Sequence, residues 1–299
     1  MSLRRYLPIT AVCCLLAPAV AACGWATEGG SPDGHRGAAR PTAAAGTGRA
    51  AALPAVADLT DAQRRTADRL VSVFANSTTT ISYDYIEDHH DGCGLTAGRA
   101  GFCTATGDLL EVVRRYEEAV PDNPLTRYLP RLQHLAEEGS PDTAGLGAGF
   151  AAAWRQAAKD TRFRTVQDQA VDDLYYGPAL RTARSHGLDS ALAVAILYDT
   201  AIQHGTDLDP DGLPALIEQA DARAGGRPGQ GATEGGWLDA LLDVRRADLL
   251  RPHNRDRAAD WPESVGRVEA LRRLVADRQF DLRPPVTVDP WGDHDFTVS

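Results

Sequence analysis

The sequence predicts an α+β fold that is mainly helical, with one small β-sheet set into a helical body. Three observations carry that prediction. Beyond residue 56, apolar residues recur at helical spacing in segment after segment. One of these segments, "DSALAVAILYDTAIQHG", is apolar almost all round, as a helix enclosed by other helices must be. Only Asp91 to Thr104 reads as short strands joined by glycine turns. Helices grouped around one small sheet satisfy all three.

The elements follow in order. Thr60-x-x-Gln63 is a capping-box pattern and opens a helix to about Ala75, with Leu70, Val73 and Phe74 on its apolar stripe. Asp108 is expected to cap a second helix that buries Leu109, Val112, Val113 and Tyr116. "LTRYLPRLQHLAEE" continues helical, interrupted at Pro130, and Phe150 to about Gln169 reads as one helix. The central buried helix starts at Asp189 and stops at Gly205. "WLDALLDVRRADLL" and "ESVGRVEALRRLVADR" supply two more. No internal repeat occurs at solenoid periods.

The chain start sets the expected compartment. In "MSLRRYLPITAVCCLLAPAVAAC", Arg4 and Arg5 precede an apolar run and then small residues, the pattern of a secretory signal over residues 1–22. Val20-Ala21-Ala22-Cys23 is similar to a bacterial lipobox, which makes Cys23 the candidate lipidation site; an ordinary signal cleaved nearby is the alternative. Residues 23–56 are rich in Gly, Ala and Pro and read as a flexible tether, leaving 57–299 as the folded domain. The expectation is an extracellular or cell-surface protein, held to a bacterial membrane by lipid alone, since no later segment is long and apolar enough to span a bilayer. Nothing in the sequence calls for an oligomer, and a monomer is expected.

Charge narrows the partners. The chain has 31 Lys+Arg and 41 Asp+Glu; residues 1–56 hold five and two of these, so the rest carries 26 against 39, a formal −13. Such a surface repels the phosphates of nucleic acid and concentrates a cationic ligand or polymer. Five cysteines reduce to two: Cys13 and Cys14 lie in the signal and Cys23 is the lipid candidate. Cys93 and Cys103 are compatible with a short-loop disulfide, and equally with one buried and one exposed thiol.

"YIEDHHDGCGLTAGRAGFC" crowds Glu87, Asp88, His89, His90 and Asp91 into consecutive positions. A metal site from His89, His90, Asp91 and Cys93 is the weaker reading, because neighbouring histidines in extended backbone point to opposite faces and the spacing matches no zinc pattern. No metal or cofactor is expected. In the central helix, Asp199 is a carboxylate amid apolar residues and needs a partner, with Arg245 and Arg267 the candidates.

Taken together, "YIEDHHDGCGLTAGRAGFCTATGDLL", "WRQAAKDTRF", "YYGPAL", "ILYDTAIQHG", "LLDVRR" and "FDLRPP" resemble, in order and spacing from about Leu59 to Trp291, the chitosanases of glycoside hydrolase family 46. The resemblance implies a lysozyme-like fold of two mainly helical lobes with a substrate cleft. It implies inverting cleavage of β-1,4-linked glucosamine in cationic polymers such as chitosan, without metal or organic cofactor. Residue by residue, it makes Asp91 the general base, Thr96 the hydroxyl that positions the attacking water, and Asp108 a contact for the substrate ammonium. Asp199, Arg245 and Arg267 match a buried network supporting the catalytic acid. His204 lines the cleft in one reading and sits in the core, or caps, in the other.

The resemblance breaks at the acid. The family's glutamate at the end of the first helix corresponds to Ala75 in "LVSVFANSTTT", and Cys93 stands where the family has an arginine facing the substrate. An inverting glycosidase needs an acid for the leaving oxygen and a base for water, and a methyl group donates no proton. Two expectations follow: a chitosanase-family hydrolase with weak or relocated acid catalysis, or a non-catalytic binder of amino-sugar oligosaccharides. A structural envelope lipoprotein is a third, weaker reading.

Overall fold

The computed structural model describes residues 58–299. The signal, tether and lipid-site readings fall outside those residues. Helix α1 (Asp61–Asn76) starts as its sequence dictates: Thr60 and Gln63 close a reciprocal capping box, and Ser77 ends the helix in a left-handed turn. A three-stranded antiparallel sheet follows: β1 (Ile86–Asp88), β2 (Leu95–Ala97) and β3 (Phe102–Cys103), with Thr96 opposite both Glu87 and Cys103. The sheet therefore starts before Asp91. Positive φ at His90 and Gly92 ends β1, so Asp91 lies in the connecting turn. Gly94 is required there, because a Cβ would collide with Thr104 Oγ1 and press on the Pro141 carbonyl.

Helices α2 (Asp108–Ala119), α3 (Leu129–Glu138), α4 (Gly147–Ala157) and α5 (Thr161–Val171) pack beside this sheet. Their core is aromatic: the Phe163 ring lies 4.6 Å from Tyr116 and 4.9 Å from Trp154, and Tyr128 meets Phe150 edge-on at 5.0 Å. Two expectations are corrected here. The single helix from Phe150 to Gln169 is broken, because the Asp160 carboxylate accepts the Arg162 N–H and caps a new helix. Asp108 is not a cap: Gly107 holds that position without a side-chain bond. Pro130 sits in the first turn of α3, where its missing N–H costs nothing, so it starts a helix instead of interrupting one.

A π-helical turn (Asp172–Tyr176) leads into α6 (Gly177–His186), then α7 (Ala191–His204), α8 (Leu213–Ala224), α9 (Glu234–Leu250) and α10 (Val265–Ala276). All 14 residues of α7 are buried, as its all-round apolar sequence required, and α1, α6, α8 and α10 surround it. Ser190, one residue after the expected start, supplies the cap. A hairpin of β4 (Val286–Val288) and β5 (Phe296–Val298) closes the chain. The sequence reading missed this hairpin, since three-residue strands are too short to show a period. It also missed α6 and α8. No helix among the described residues is long and apolar enough to cross a membrane.

Candidate active site

The segment around Asp91 is held by local contacts. The carboxylate of Asp91 is 6 % exposed and accepts the Cys93 N–H at 3.0 Å, a turn that fixes its aim. Cys93 and Cys103 are joined, S–S 2.08 Å, with Cα atoms 5.4 Å apart, which resolves the open cysteine reading in favour of the disulfide. That bond also removes the Cys93 thiolate from the metal reading. His89 is held by Tyr85 at 2.6 Å, and His90 is exposed beside Asp88. Thr96, on the middle strand, is buried, and its hydroxyl has no hydrogen-bond partner among the described residues.

Asp108 anchors this segment. Its carboxylate accepts from Cys103 N–H at 2.8 Å, Leu109 N–H at 3.0 Å, Thr106 Oγ1 at 2.6 Å and Tyr175 Oη at 2.6 Å. Burial pushes its pKa up and those four donors pull it back. Both oxygens are thus engaged in tying β3 to α2 and the π-helical turn.

Ala75 lies in the last turn of α1 and is buried. The preceding Phe74 presents its ring to the Arg267 guanidinium at 5.5 Å. Arg267 donates to Asp199 at 2.6 Å and to Gln203 Oε1, while Arg245 donates to the other Asp199 oxygen at 2.9 Å. All three charged groups are essentially unexposed. The network read from the sequence is present as a unit spanning α7, α9 and α10. Burial, followed by the Arg267 charge, lowers the Arg245 pKa, and Asp199 raises it in return.

His204 is corrected to a core residue. It is fully buried, meets Trp261 edge-on at 4.9 Å and bonds the Asp211 carbonyl through Nδ1 at 3.1 Å. Burial and then Arg245 hold its pKa well below the ordinary imidazole value, so the ring is neutral. It lines no substrate surface.

Three features escaped the sequence reading. Arg99 bridges Asp68 of α1 at 2.8 Å and Asp168 of α5, joining the sheet to the helices on both sides. Asp211, Asp248 and His253 converge, the imidazole Nδ1 lying 2.9 Å from Asp211. Asp211 also accepts two backbone N–H groups and faces Arg257 at 3.4 Å, which leaves it no lone pair aimed at a cation. Finally, Asp260 feels the charge of Asp91: burial first, then Asp91 and Glu263, raise its pKa, with His89 opposing. None of these carries a sequence signature, because each depends on residues distant in the chain.

The fold is of the lysozyme-like, mainly helical class. Residues 69–286 match the model for glycosyl hydrolase family 46, and the chain belongs to that family. A chitosanase from Bacillus subtilis (strain 168) is 49% identical over 232 residues, 78% of this chain and 83% of that protein. A mutant chitosanase from Bacillus subtilis MY002, solved in complex with 6 GlcN, superposes with TM-score 0.79 at 47% identity, covering 81% of this chain and 100% of that one. A Gynuella sunshinyii family 46 chitosanase in complex with chitotetraose gives TM-score 0.78 at 43% identity, covering 81% and 99%.

Proposed function

We infer that this protein binds β-1,4-linked glucosamine polymers and hydrolyses them slowly, with Asp91 as general base, Thr96 holding the attacking water and Ala75 standing in the place of the acid. The observation that carries this reading is the asymmetry of the two sides. Asp91 is fixed by a turn, a disulfide and a sheet, whereas the last turn of α1 carries a methyl group at position 75, next to the Phe74 ring that Arg267 faces. Support comes also from relatives solved with glucosamine oligomers and from the formal −13 of the segment beyond residue 56, which favours a polycation.

The second reading is pure binding. Ala75 favours it, and so does Cys93, whose sulfur is locked in the disulfide. What favours turnover is Asp260, an exposed carboxyl within electrostatic reach of Asp91 whose raised pKa suits a proton donor. On the inverting mechanism, a base activates water while an acid protonates the departing oxygen. Asp108 stays in this reading as a support for the base-side sheet.

Reducing-end release from glucosamine hexamer tests it. Ala75→Glu is expected to raise the rate by about 10²–10⁴-fold, and Asp91→Asn in that background should remove the gain. Efficient wild-type cleavage that falls with Asp260→Asn would identify the substitute acid and overturn the slow-enzyme reading. Binding with no cleavage in wild type or Ala75→Glu would leave the binder. For the compartment, we extend the reading to a cell-surface lipoprotein anchored through Cys23; Cys23→Ser should move it out of the membrane fraction.

A further inference from the structure

Three guanidinium groups are enclosed near α7: Arg245, Arg257 and Arg267. The carboxylates facing them are Asp199, Asp211 and Asp248. Asp211 partners Arg257, which also stacks on Trp261 at 4.5 Å. Asp199 is shared by Arg245 and Arg267. Asp248 is different: burial and the adjacent Asp211 push its pKa up to about 8, so it is mainly the neutral acid at pH 7. His204 is neutral too. The ion pairs here therefore bring three guanidinium groups to two carboxylates.

Ion pairing locates the surplus: Arg257 is paired with Asp211, whereas Arg245 and Arg267 share Asp199. Arg245 Nε and Nη1 and Arg267 Nε have no acceptor among the described residues, and neither do Arg257 Nε and Nη2. A guanidinium taken out of water is stable only when paired and hydrogen-bonded, and Arg245 and Arg267 share one carboxylate. Arg267 lies against Phe74, and the next residue, Ala75, offers no polar atom.

We propose that the Arg245–Arg267 pair beside Ala75 is a binding site for one small monovalent carboxylate from solution, of the size of formate or acetate. The planar fork of guanidinium N–H groups matches a carboxylate better than a spherical halide. The ligand's location rests on the reading of Ala75 as the emptied acid position; the charge surplus does not.

Thermal unfolding of the full chain at pH 6.5 tests this, with sodium formate titrated against sodium gluconate at equal ionic strength. Gluconate carries the same charge but is too large to enter. A saturable rise of about 3–6 °C is expected with formate once it exceeds its dissociation constant about tenfold. Ala75→Glu supplies an internal carboxylate and should lose the response. Arg245→Met removes the surplus charge, leaves Asp199 paired with Arg267, and should lose it as well. Equal shifts with formate and gluconate, or an undiminished formate response in Arg245→Met, would overturn the proposal. If Ala75→Glu hydrolyses glucosamine hexamer while wild type ignores formate, the anion site fails and the functional reading stands. A formate response lost in Arg245→Met, with no hydrolysis by Ala75→Glu, gives the converse.

Discussion

The segment Tyr85 to Cys103 and the last turn of α1 are built on different principles. In the first, nearly every constraint on Asp91 is local: the turn to Cys93, the left-handed residues at 90 and 92, the disulfide, and two short strand pairings. In the second, the surroundings of Ala75 come from α7, α9 and α10, whose charged groups meet only in the folded chain. A local device is lost or kept together with its own residues. A distributed one does not hang on any single neighbour, because it is part of the core. Asp199 pairs with two enclosed arginines whether or not any acid stands at position 75.

That contrast is open to direct attack. The largest stability effect is expected on the distributed side. Asp199→Ala strands two buried guanidinium groups and should cost about 3–5 kcal/mol or more, read as a drop in Tm or in the denaturation midpoint. A loss below about 1 kcal/mol would mean that the network is no part of the core. On the local side, replacing both Cys93 and Cys103 by Ser opens a loop of ten residues and should cost about 2–3 kcal/mol. Hydrogen exchange should then rise in β2 and β3 while α7 keeps its protection. Loosening that reached α7 equally would erase the distinction between the two regions.

A pH effect concerns Asp248, on α9 with Arg245. Its folded pKa, about 8, lies above the ordinary carboxylate value, so the folded state binds the extra proton. The stability linked to that proton is complete below about pH 4 and drains away as pH rises through about 8. Asp248→Asn keeps a neutral group there and should flatten this decline, gaining on wild type as pH rises from 4 to 8. Asp211, Asp209 and Arg257 also act on this carboxyl, and an unchanged pH profile in the variant would return the effect to them.

Much was legible in the sequence, and the pattern of success follows from range. The capping box at Thr60, the enclosed α7, and the family resemblance from about Leu59 to Trp291 all rest on neighbours or on ordered short motifs. Asp199 was legible for another reason: a carboxylate inside an apolar run demands a cation, and few arginines were placed to supply it. The misses were competitions between local forces. Asp160 halted one predicted helix by capping another, and Gly107 took the cap assigned to Asp108. By itself the sequence determined the helical class, the family, the methyl group at position 75 and the pairing of Asp199. Only the tertiary structure decided that Asp108 spends its oxygens on four protein donors, that His204 is an enclosed neutral ring, that the two cysteines join, and that Arg245 and Arg267 share one buried carboxylate. Composition counts charges along the chain, but desolvation and hydrogen bonding act between groups that only folding brings into contact.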